Sequence, residues 1–249
     1  MSWDLRNGPW QETMTDVEAD VTISDPPYSA KTHAGVRTQK PRGVVQAGGF
    51  EYEPLDYAEA KAAARWMTTH TKRKIVVFGD HITAEWWREL LDVRGWTVFA
   101  PLPWVKLDAP PRFSGDGPGC STEWLTVAHR KGSLLAGSPP GHYLVKTARG
   151  HGRDAKYLGG KSLEGMTRLV RDYVLPGEIL ADLYAGMGTT LAASPVNVHA
   201  IGAEKIQATW ARANARLLLL DQSAAVTGVH RQTRMADLLK ESLSILGAP

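Results

Sequence analysis

The sequence predicts a single Rossmann-like α/β domain over residues 1–249, with a mostly parallel sheet, an antiparallel edge pair and helices on both faces. Three observations carry that prediction. Short strand-like apolar runs alternate with helical patterns, the order that builds parallel βα units. One run ends in Asp25-Pro26-Pro27-Tyr28 and another in Asp182-Leu-Tyr-Ala-Gly-Met-Gly-Thr-Thr190, so both put acids and turn formers at a strand's carboxyl end, where open α/β sheets hold ligands. A composition of 43% hydrophobic and 22% charged residues over 249 positions is that of a globular chain with a sizeable core.

The elements run in order along the chain. Residues 3–18 carry Trp3, Leu5, Trp10, Met14 and Val17 around an Asn7-Gly8-Pro9 turn, an amphipathic lead-in expected beside the first strand. In 19–24, Val21 and Ile23 alternate with small polar residues, and the double proline then stops the strand. Residues 29–49 hold Lys31, His33, Arg37, Lys40 and Arg42 among glycines with little apolar periodicity, and read as a long basic loop suited to gripping phosphates. Tyr57, Ala60, Ala64 and Met67 recur at helical spacing within 56–70, and 74–79 is an unbroken apolar run, hence a buried strand. A helix over 83–93 shows Trp86, Leu90 and Leu91 on one face. Strands at 96–105 and 123–129 have no helix between them and are expected to pair antiparallel. Trp86, Trp87, Trp96, Trp104 and Trp124 read as core or interface residues.

Residues 131–160 break the pattern. Lys146, Arg149, Arg153 and Lys156 are interleaved with His142, Tyr143, His151 and Tyr157 and opposed only by Asp154, the composition of an inserted nucleic-acid contact segment. Regular structure resumes with an amphipathic helix at 162–174, closed by Pro176-Gly177, and then a strand, turn and helix over 178–190. Gly186 and Gly188 allow the backbone to turn sharply against a ligand, and Thr189 or Thr190 is expected to cap the helix. A strand over 199–203 ends at Glu204, 16 residues past Gly188, where a carboxylate can bind the two hydroxyls of a ribose. Together with Asp182 this points to an adenosine-containing cofactor. A helix over 207–219 packs back on the sheet, and 221–249 is a C-terminal helical extension.

The Asp25–Tyr28 corner suits one chemistry in particular. The exocyclic amine of a nucleobase is a poor nucleophile until two acceptors hold its hydrogens. Asp25 and the Pro26 carbonyl, preset by Pro26 and Pro27, offer two such acceptors, while Tyr28 can stack on a base turned out of its helix. The single cysteine, Cys120, excludes an internal disulfide and a cysteine-based zinc site, and its place after Gly119 in a Gly-rich stretch, rather than after a proline, argues against the thiolate chemistry of cytosine C5. No metal is expected. No apolar run is long enough to span a bilayer and the first residues lack a secretory layout, so a cytoplasmic location is expected. A net charge of +3 permits a polyanionic partner.

These residues resemble the S-adenosylmethionine-dependent amino-methyltransferases of DNA, and more narrowly the permuted group in which the catalytic motif precedes the cofactor motif. The resemblance covers about residues 4–219, with the basic insert where such enzymes carry target recognition. It implies that Asp25, Pro26, Pro27 and Tyr28 hold a flipped base. It implies that Asp182, Ala185, Gly186, Gly188, Thr189 and Thr190 line the methionine part of S-adenosyl-L-methionine, with Glu204 on its ribose and Lys161 at its carboxylate. Leu183-Tyr184 replaces the more usual Pro-Phe, and Met187 stands where a small residue is common. Double-stranded DNA is the implied substrate, with adenine N6 the target and cytosine N4 the alternative. An RNA or protein amine methyltransferase is a further alternative, and a DNA-binding protein that has lost catalysis is one of another class. Related enzymes often dimerise, and the tryptophan-rich helix near Trp86 offers a surface for a homodimer.

Overall fold

The computed structural model describes residues 3–37, 52–109, 111, 117–133, 139–146 and 160–226. In chain order the elements are β1 (Trp3–Asn7), α1 (Trp10–Thr13), β2 (Ala19–Ser24), α2 (Ala30–Arg37), α3 (Tyr57–His70), β3 (Thr71–Gly79), α4 (Thr83–Leu91), β4 (Trp96–Val98), β5 (Leu102–Lys106), β6 (Thr122–Arg130), β7 (Tyr143–Val145), α5 (Leu163–Tyr173), β8 (Ile179–Asp182), α6 (Thr189–Ala193), β9 (His199–Glu204) and α7 (Gln207–Val226). The strands form one nine-stranded sheet in the order β1-β9-β8-β2-β3-β6-β5-β7, with β4 also on β6. β1, β9, β8, β2 and β3 run parallel. β6 runs against β3, β4 and β5, and β7 lies parallel to β5.

This is the mostly parallel Rossmann-like sheet the sequence predicts, with the antiparallel pairing on the expected strands. Its details differ in three places. Residues 96–105 form two short strands, because Pro101 has no N–H to continue the ladder across the gap between them. Residues 143–145, inside the segment read as an irregular insert, form β7, which carries the sheet beyond β5; Tyr143 and Val145 are buried in the core. The lead-in divides: Trp10, Met14 and Val17 pack in the same core layer as Ala19 of β2, but its start does not lie beside that strand. Its first residues form β1, paired with β9 and separated from β2 by β9 and β8, and the alternation of Trp3 and Leu5 inward marks it as a strand of period two.

Each sheet face has its own core, so alternate strand residues serve opposite layers. Val21, Ile23, Val76, Phe78, Leu180 and Ala200 pack towards α5, α6 and α7. Ala19, Ile75, Val77, Ala181 and Ile201 pack towards α1, α3 and α4. Local chemistry starts two of the well-packed helices: Asp56 accepts from the Glu59 N–H at 2.8 Å to cap α3, and Ser162 accepts from the Gly165 N–H at 3.3 Å to cap α5. Trp87, Trp96 and Trp104 are buried, as expected of core residues. Among the described residues no helix is long and apolar enough to cross a membrane.

α5 carries a glycine whose reason is packing. A Cβ on Gly165 would stand 2.7 Å from Trp104 Cη2 and 2.7 Å from Val145 Cγ1. Glycine to alanine inside a helix ordinarily stabilises by about 0.5–1 kcal/mol. Here overpacking wins, and Gly165→Ala is expected to destabilise the protein by about 1–3 kcal/mol. Urea unfolding followed by circular dichroism reads the sign directly.

Candidate active site

The two motifs that are far apart in sequence leave neighbouring strands. β2 pairs with β8 through Val21↔Leu180 and Thr22↔Ala181, and Ser24 Oγ accepts a hydrogen bond from the Leu183 N–H at 3.0 Å. Asp25 and the Gly186 turn therefore begin side by side on the carboxyl edge of the sheet. From β2 the chain continues to β3 on one side, whereas β8 continues to β9 on the other, so this edge is a topological switch point, where such sheets open a crevice.

The Asp25–Tyr28 corner is held from behind. Pro26 is buried, Tyr28 is half-buried against the α5–α7 core, and the Tyr28 carbonyl accepts from the Leu55 N–H at 3.1 Å. Asp80, directly after β3, anchors the start of α2. One of its oxygens accepts from the Ser29 N–H at 3.0 Å and from the hydroxyls of Ser29 and Thr32; the other accepts from the Thr83 and Ile82 N–H groups at 2.8 and 3.0 Å. Burial raises this carboxyl, but the hydrogen bonds from Ser29, Thr32 and Thr83 outweigh it and hold the group at about 2. A depressed folded pKa contributes stability above the unfolded value, lost as the pH falls through the folded one. Asp80→Asn is thus expected to cost about 2 kcal/mol at pH 7, with the gap to wild type narrowing towards pH 2; urea midpoints across that range test it.

In front of the corner lies a buried ionic array. The Lys161 ammonium donates to Asp25 Oδ2 and, at 3.1 Å, to the Tyr28 hydroxyl, and stands 3.5 Å from Glu123 Oε2. It also lies 4.6 Å from the Phe78 ring centroid and 5.3 Å from that of Tyr28, within cation–π range of both. Glu123 Oε1 in turn accepts from Lys106. Burial pushes the Asp25 carboxyl above its ordinary value despite Lys161, and the Glu123 charge adds to the rise. Burial disfavours the charged Lys161, yet Asp25 and Glu123 outweigh it and hold the ammonium above its usual range. Asp25 Oδ1 is buried and has no hydrogen-bond partner. Glu123, Lys106, Phe78 and Asp80 were not among the residues the sequence singled out.

The glycine turn faces the same edge. Gly186 and Gly188 have φ of 52° and 71°, the left-handed region that side chains rarely adopt, and a Cβ on Gly186 would meet nothing within 4 Å. Gly188 itself is the N-cap of α6, so neither Thr189 nor Thr190 caps that helix; both lie inside it and are buried. The reason is conformational, since the left-handed glycine already turns the chain into the helix. Arg216 of α7 clamps the turn by donating to the Met187 carbonyl at 2.9 Å. Asp182 and Ala185 are buried beside it. Burial raises the Asp182 carboxyl to about 6, against hydrogen bonds from Thr190, Tyr184 and Ser24, and the Asp25 charge adds to the rise. Glu204 accepts from the Gly186 N–H at 2.9 Å and the Ile206 N–H at 2.7 Å, so the tip of β9 is tied to the turn. Tyr184, where the resembled family has Phe, donates its hydroxyl to Glu59 of α3 at 2.9 Å on the opposite face.

The basic candidates are placed less completely. Residues 30–37 form α2 where a loop was expected; Ser29 Oγ accepts weakly from the Thr32 N–H at 3.4 Å, a cap signal the glycine content obscured. Lys31 is exposed on that helix, which also contains His33 and Arg37, and Lys146 is exposed directly after β7. Lys40, Arg42, Arg149, Arg153 and Lys156 lie outside the described residues, as does 227–249 of the C-terminal extension. The first part of that extension continues α7, where Asp221 accepts from Trp3 Nε1 at 2.9 Å. Among the described residues there is no cluster of three or more His, Cys, Asp or Glu that could hold a metal ion.

No protein-family model matches the chain, and no curated protein matches it. Solved structures do. The complex of M1.HpyAVI with SAM superposes with a TM-score of 0.64 at 19% identity, covering 86% of this chain and 99% of that one. TTHA0409 of Thermus thermophilus, a candidate DNA modification methylase complexed with S-adenosyl-L-methionine, matches with a TM-score of 0.59 at 17% identity over 88% and 96% of the two chains. The cytosine-N4-specific PvuII DNA methyltransferase matches with a TM-score of 0.60 at 12% identity over 86% of each. The chain therefore has the Rossmann-like fold of these methyltransferases over 86–88% of its length.

Proposed function

We propose that the protein is an S-adenosyl-L-methionine-dependent DNA methyltransferase that methylates adenine N6 of a base turned out of the duplex. The observation that carries the reading is the meeting of the two motifs. Asp25, with one buried oxygen lacking a partner, and the open, left-handed Gly186 turn leave adjacent strands at the switch point. The cofactor fits the residues present. Gly186 has open space where a side chain would stand, and the carboxylates of Asp182 and Glu204 end the two strands on either side of the turn. In this reading Asp182, Ala185, Gly186, Gly188, Thr189 and Thr190 hold the amino-acid end, and Glu204 the ribose. The neighbours crystallised with the same molecule support the choice of cofactor.

When bound, the cofactor would supply an electrophilic methyl group on a sulfonium, whose sulfur leaves as a neutral thioether without help from a metal. The protein's own part is to position and to polarise. Asp25 Oδ1 and the Pro26 carbonyl accept the two amine hydrogens, which concentrates the nitrogen lone pair towards the incoming methyl. The Tyr28 ring stacks on the base and replaces the neighbours it left in the helix. Lys31, His33, Arg37, Lys40 and Arg42 after the corner, and Lys146, Arg149, Arg153 and Lys156 in the basic segment, contact DNA phosphates. Aspartate ahead of Pro-Pro-Tyr favours adenine by resemblance. Incubation with duplex DNA and S-adenosyl-L-methionine, digestion to deoxynucleosides and mass spectrometry decides the target: N6-methyl-2′-deoxyadenosine supports the assignment, N4-methyl-2′-deoxycytidine moves it to the other amine, and no product removes it.

A further inference from the structure

We infer that Glu123, which Lys106 and Lys161 share, is a positioning residue that draws the Lys161 ammonium away from Asp25 Oδ1, so that this oxygen stays free to accept a hydrogen from the target amine. The inference rests on the methyl-transfer reading for its purpose, but not for its geometry. Glu123 opens β6, the strand that runs against its neighbours, and so reaches the same sheet edge as the residues that come after β2 and β3. Lys106 ends β5 on that edge. The charges then alternate: Asp25, Lys161, Glu123, Lys106.

The alternation has a mechanical consequence. A buried ammonium seeks as many acceptors as it can reach, because each unpaired N–H is costly away from water. Lys161, with its side chain 8% exposed, hydrogen-bonds to Asp25 Oδ2 and the Tyr28 hydroxyl and keeps an ionic contact of 3.5 Å to Glu123 Oε2, which like Asp25 Oδ1 is buried without a hydrogen-bond partner. With three oxygens around it, it needs no second bond to Asp25, and Oδ1 is left without a partner. Remove the Glu123 charge and Asp25 becomes the sole remaining counter-ion of Lys161. The ammonium then closes on both Asp25 oxygens and competes with the amine. Lys106 acts in the opposite sense. It shares Glu123, so removing it hands Glu123 wholly to Lys161 and relaxes the hold on Asp25.

The groups facing Asp25 set the electrostatic signs. Lys161 and Lys106 lower its carboxyl while Glu123 raises it, and Tyr28, Tyr52 and Asp182 carry the reciprocal influence of its charge. Glu123→Gln therefore shifts the Asp25 titration down in pH, and Lys106→Gln shifts it up. These opposite signs follow from the charges alone, so the titration shows that both groups act on Asp25, and positioning is read from kcat, which falls in Glu123→Gln and not in Lys106→Gln.

The test uses the full chain labelled with ¹³C at aspartate carboxyls, the Asp25 signal being assigned by its loss in Asp25→Asn. Titrations of wild type, Glu123→Gln and Lys106→Gln are compared, with kcat and KM for cofactor and DNA measured alongside. We expect opposite shifts of the Asp25 midpoint, and a kcat for Glu123→Gln lowered about tenfold with KM for the cofactor little changed. Same-sign or absent shifts overturn the inference, as does a Glu123→Gln enzyme of wild-type kcat. Lys106 is partly exposed, with a side chain 30% accessible, so that variant keeps the test open if Glu123→Gln fails to fold. Opposite shifts in a protein that transfers no methyl group would retain the charge coupling and remove only the methyl-transfer reading.

Discussion

Asp25→Ala is expected to lower kcat/KM for methyl transfer by about 10²–10³-fold or more, with the dissociation constant for S-adenosyl-L-methionine changed only a few fold. The size reflects what the side chain offers. Removing one preorganised partner of a charge that develops in the transition state costs about 2.7–4 kcal/mol in comparable sites. Asp25 is also the acceptor whose free oxygen is already stripped of water and of protein donors, so it has no desolvation left to undergo when the amine arrives. The cofactor effect is small because the Gly186 turn is fixed independently, by the Glu204 carboxylate, by Arg216 and by the β8–β9 ladder. Asp25→Asn keeps one oxygen acceptor and should fall between alanine and wild type. Isothermal titration with the cofactor and a single-turnover assay on duplex DNA separate the two quantities. Wild-type turnover by Asp25→Ala would remove Asp25 from the mechanism.

Glu123 and Lys106 show why part of this site is illegible in the chain. The strand tips are legible: a carboxylate at the end of an apolar run marks Asp25, Asp182 and Glu204, and the structure puts all three on one edge. The same rule applied to the run ending at Gly79 would have found Asp80. Glu123 escapes it because β6 is antiparallel, so its beginning, not its end, reaches that edge, and the direction of a strand is a property of the sheet. Lys161 illustrates a different limit. The resemblance alone picks it out, at the cofactor's carboxylate, whereas the partners it has in the structure come from the end of β2 and from β6, both distant along the chain, and no local pattern encodes them. The helices at 56–70 and 162–174 are legible because their caps, Asp56 and Ser162, and their apolar faces agree. α2 is not, since glycine and polar residues mask an eight-residue helix whose start depends on Ser29 and on Asp80 from another strand. β7 has only three residues and owes its strand form to pairing with β5 rather than to its own sequence.

Asp182→Asn is expected to make the protein more stable at neutral pH and worse at binding S-adenosyl-L-methionine. Asp182 is 1% exposed, and its carboxyl is raised from 3.8 to about 6, chiefly by burial. A folded pKa above the unfolded one means that the native state binds the proton more tightly. Ionisation therefore costs stability in full above about pH 6, and the cost vanishes below about pH 4. Two pH units correspond to about 3 kcal/mol. The amide occupies nearly the same volume without the charge, so most of that cost should be recovered. For a domain of this size the thermal midpoint at pH 7.5 should rise by about 2–4 °C per kcal/mol, and the two proteins should converge near pH 4. A buried carboxylate that weakens its own fold persists where it serves a ligand, the stability–function trade expected of a binding residue. Cofactor affinity should accordingly fall about tenfold or more in Asp182→Asn, and in wild type it should weaken as the pH drops through about 6. Calorimetry at pH 7.5 and 5.5, paired with scanning calorimetry of both proteins, reads both halves. A variant that is less stable at pH 7.5, or that binds as well as wild type, would mean that the Asp182 charge is structural and that the turn holds its ligand by backbone groups alone.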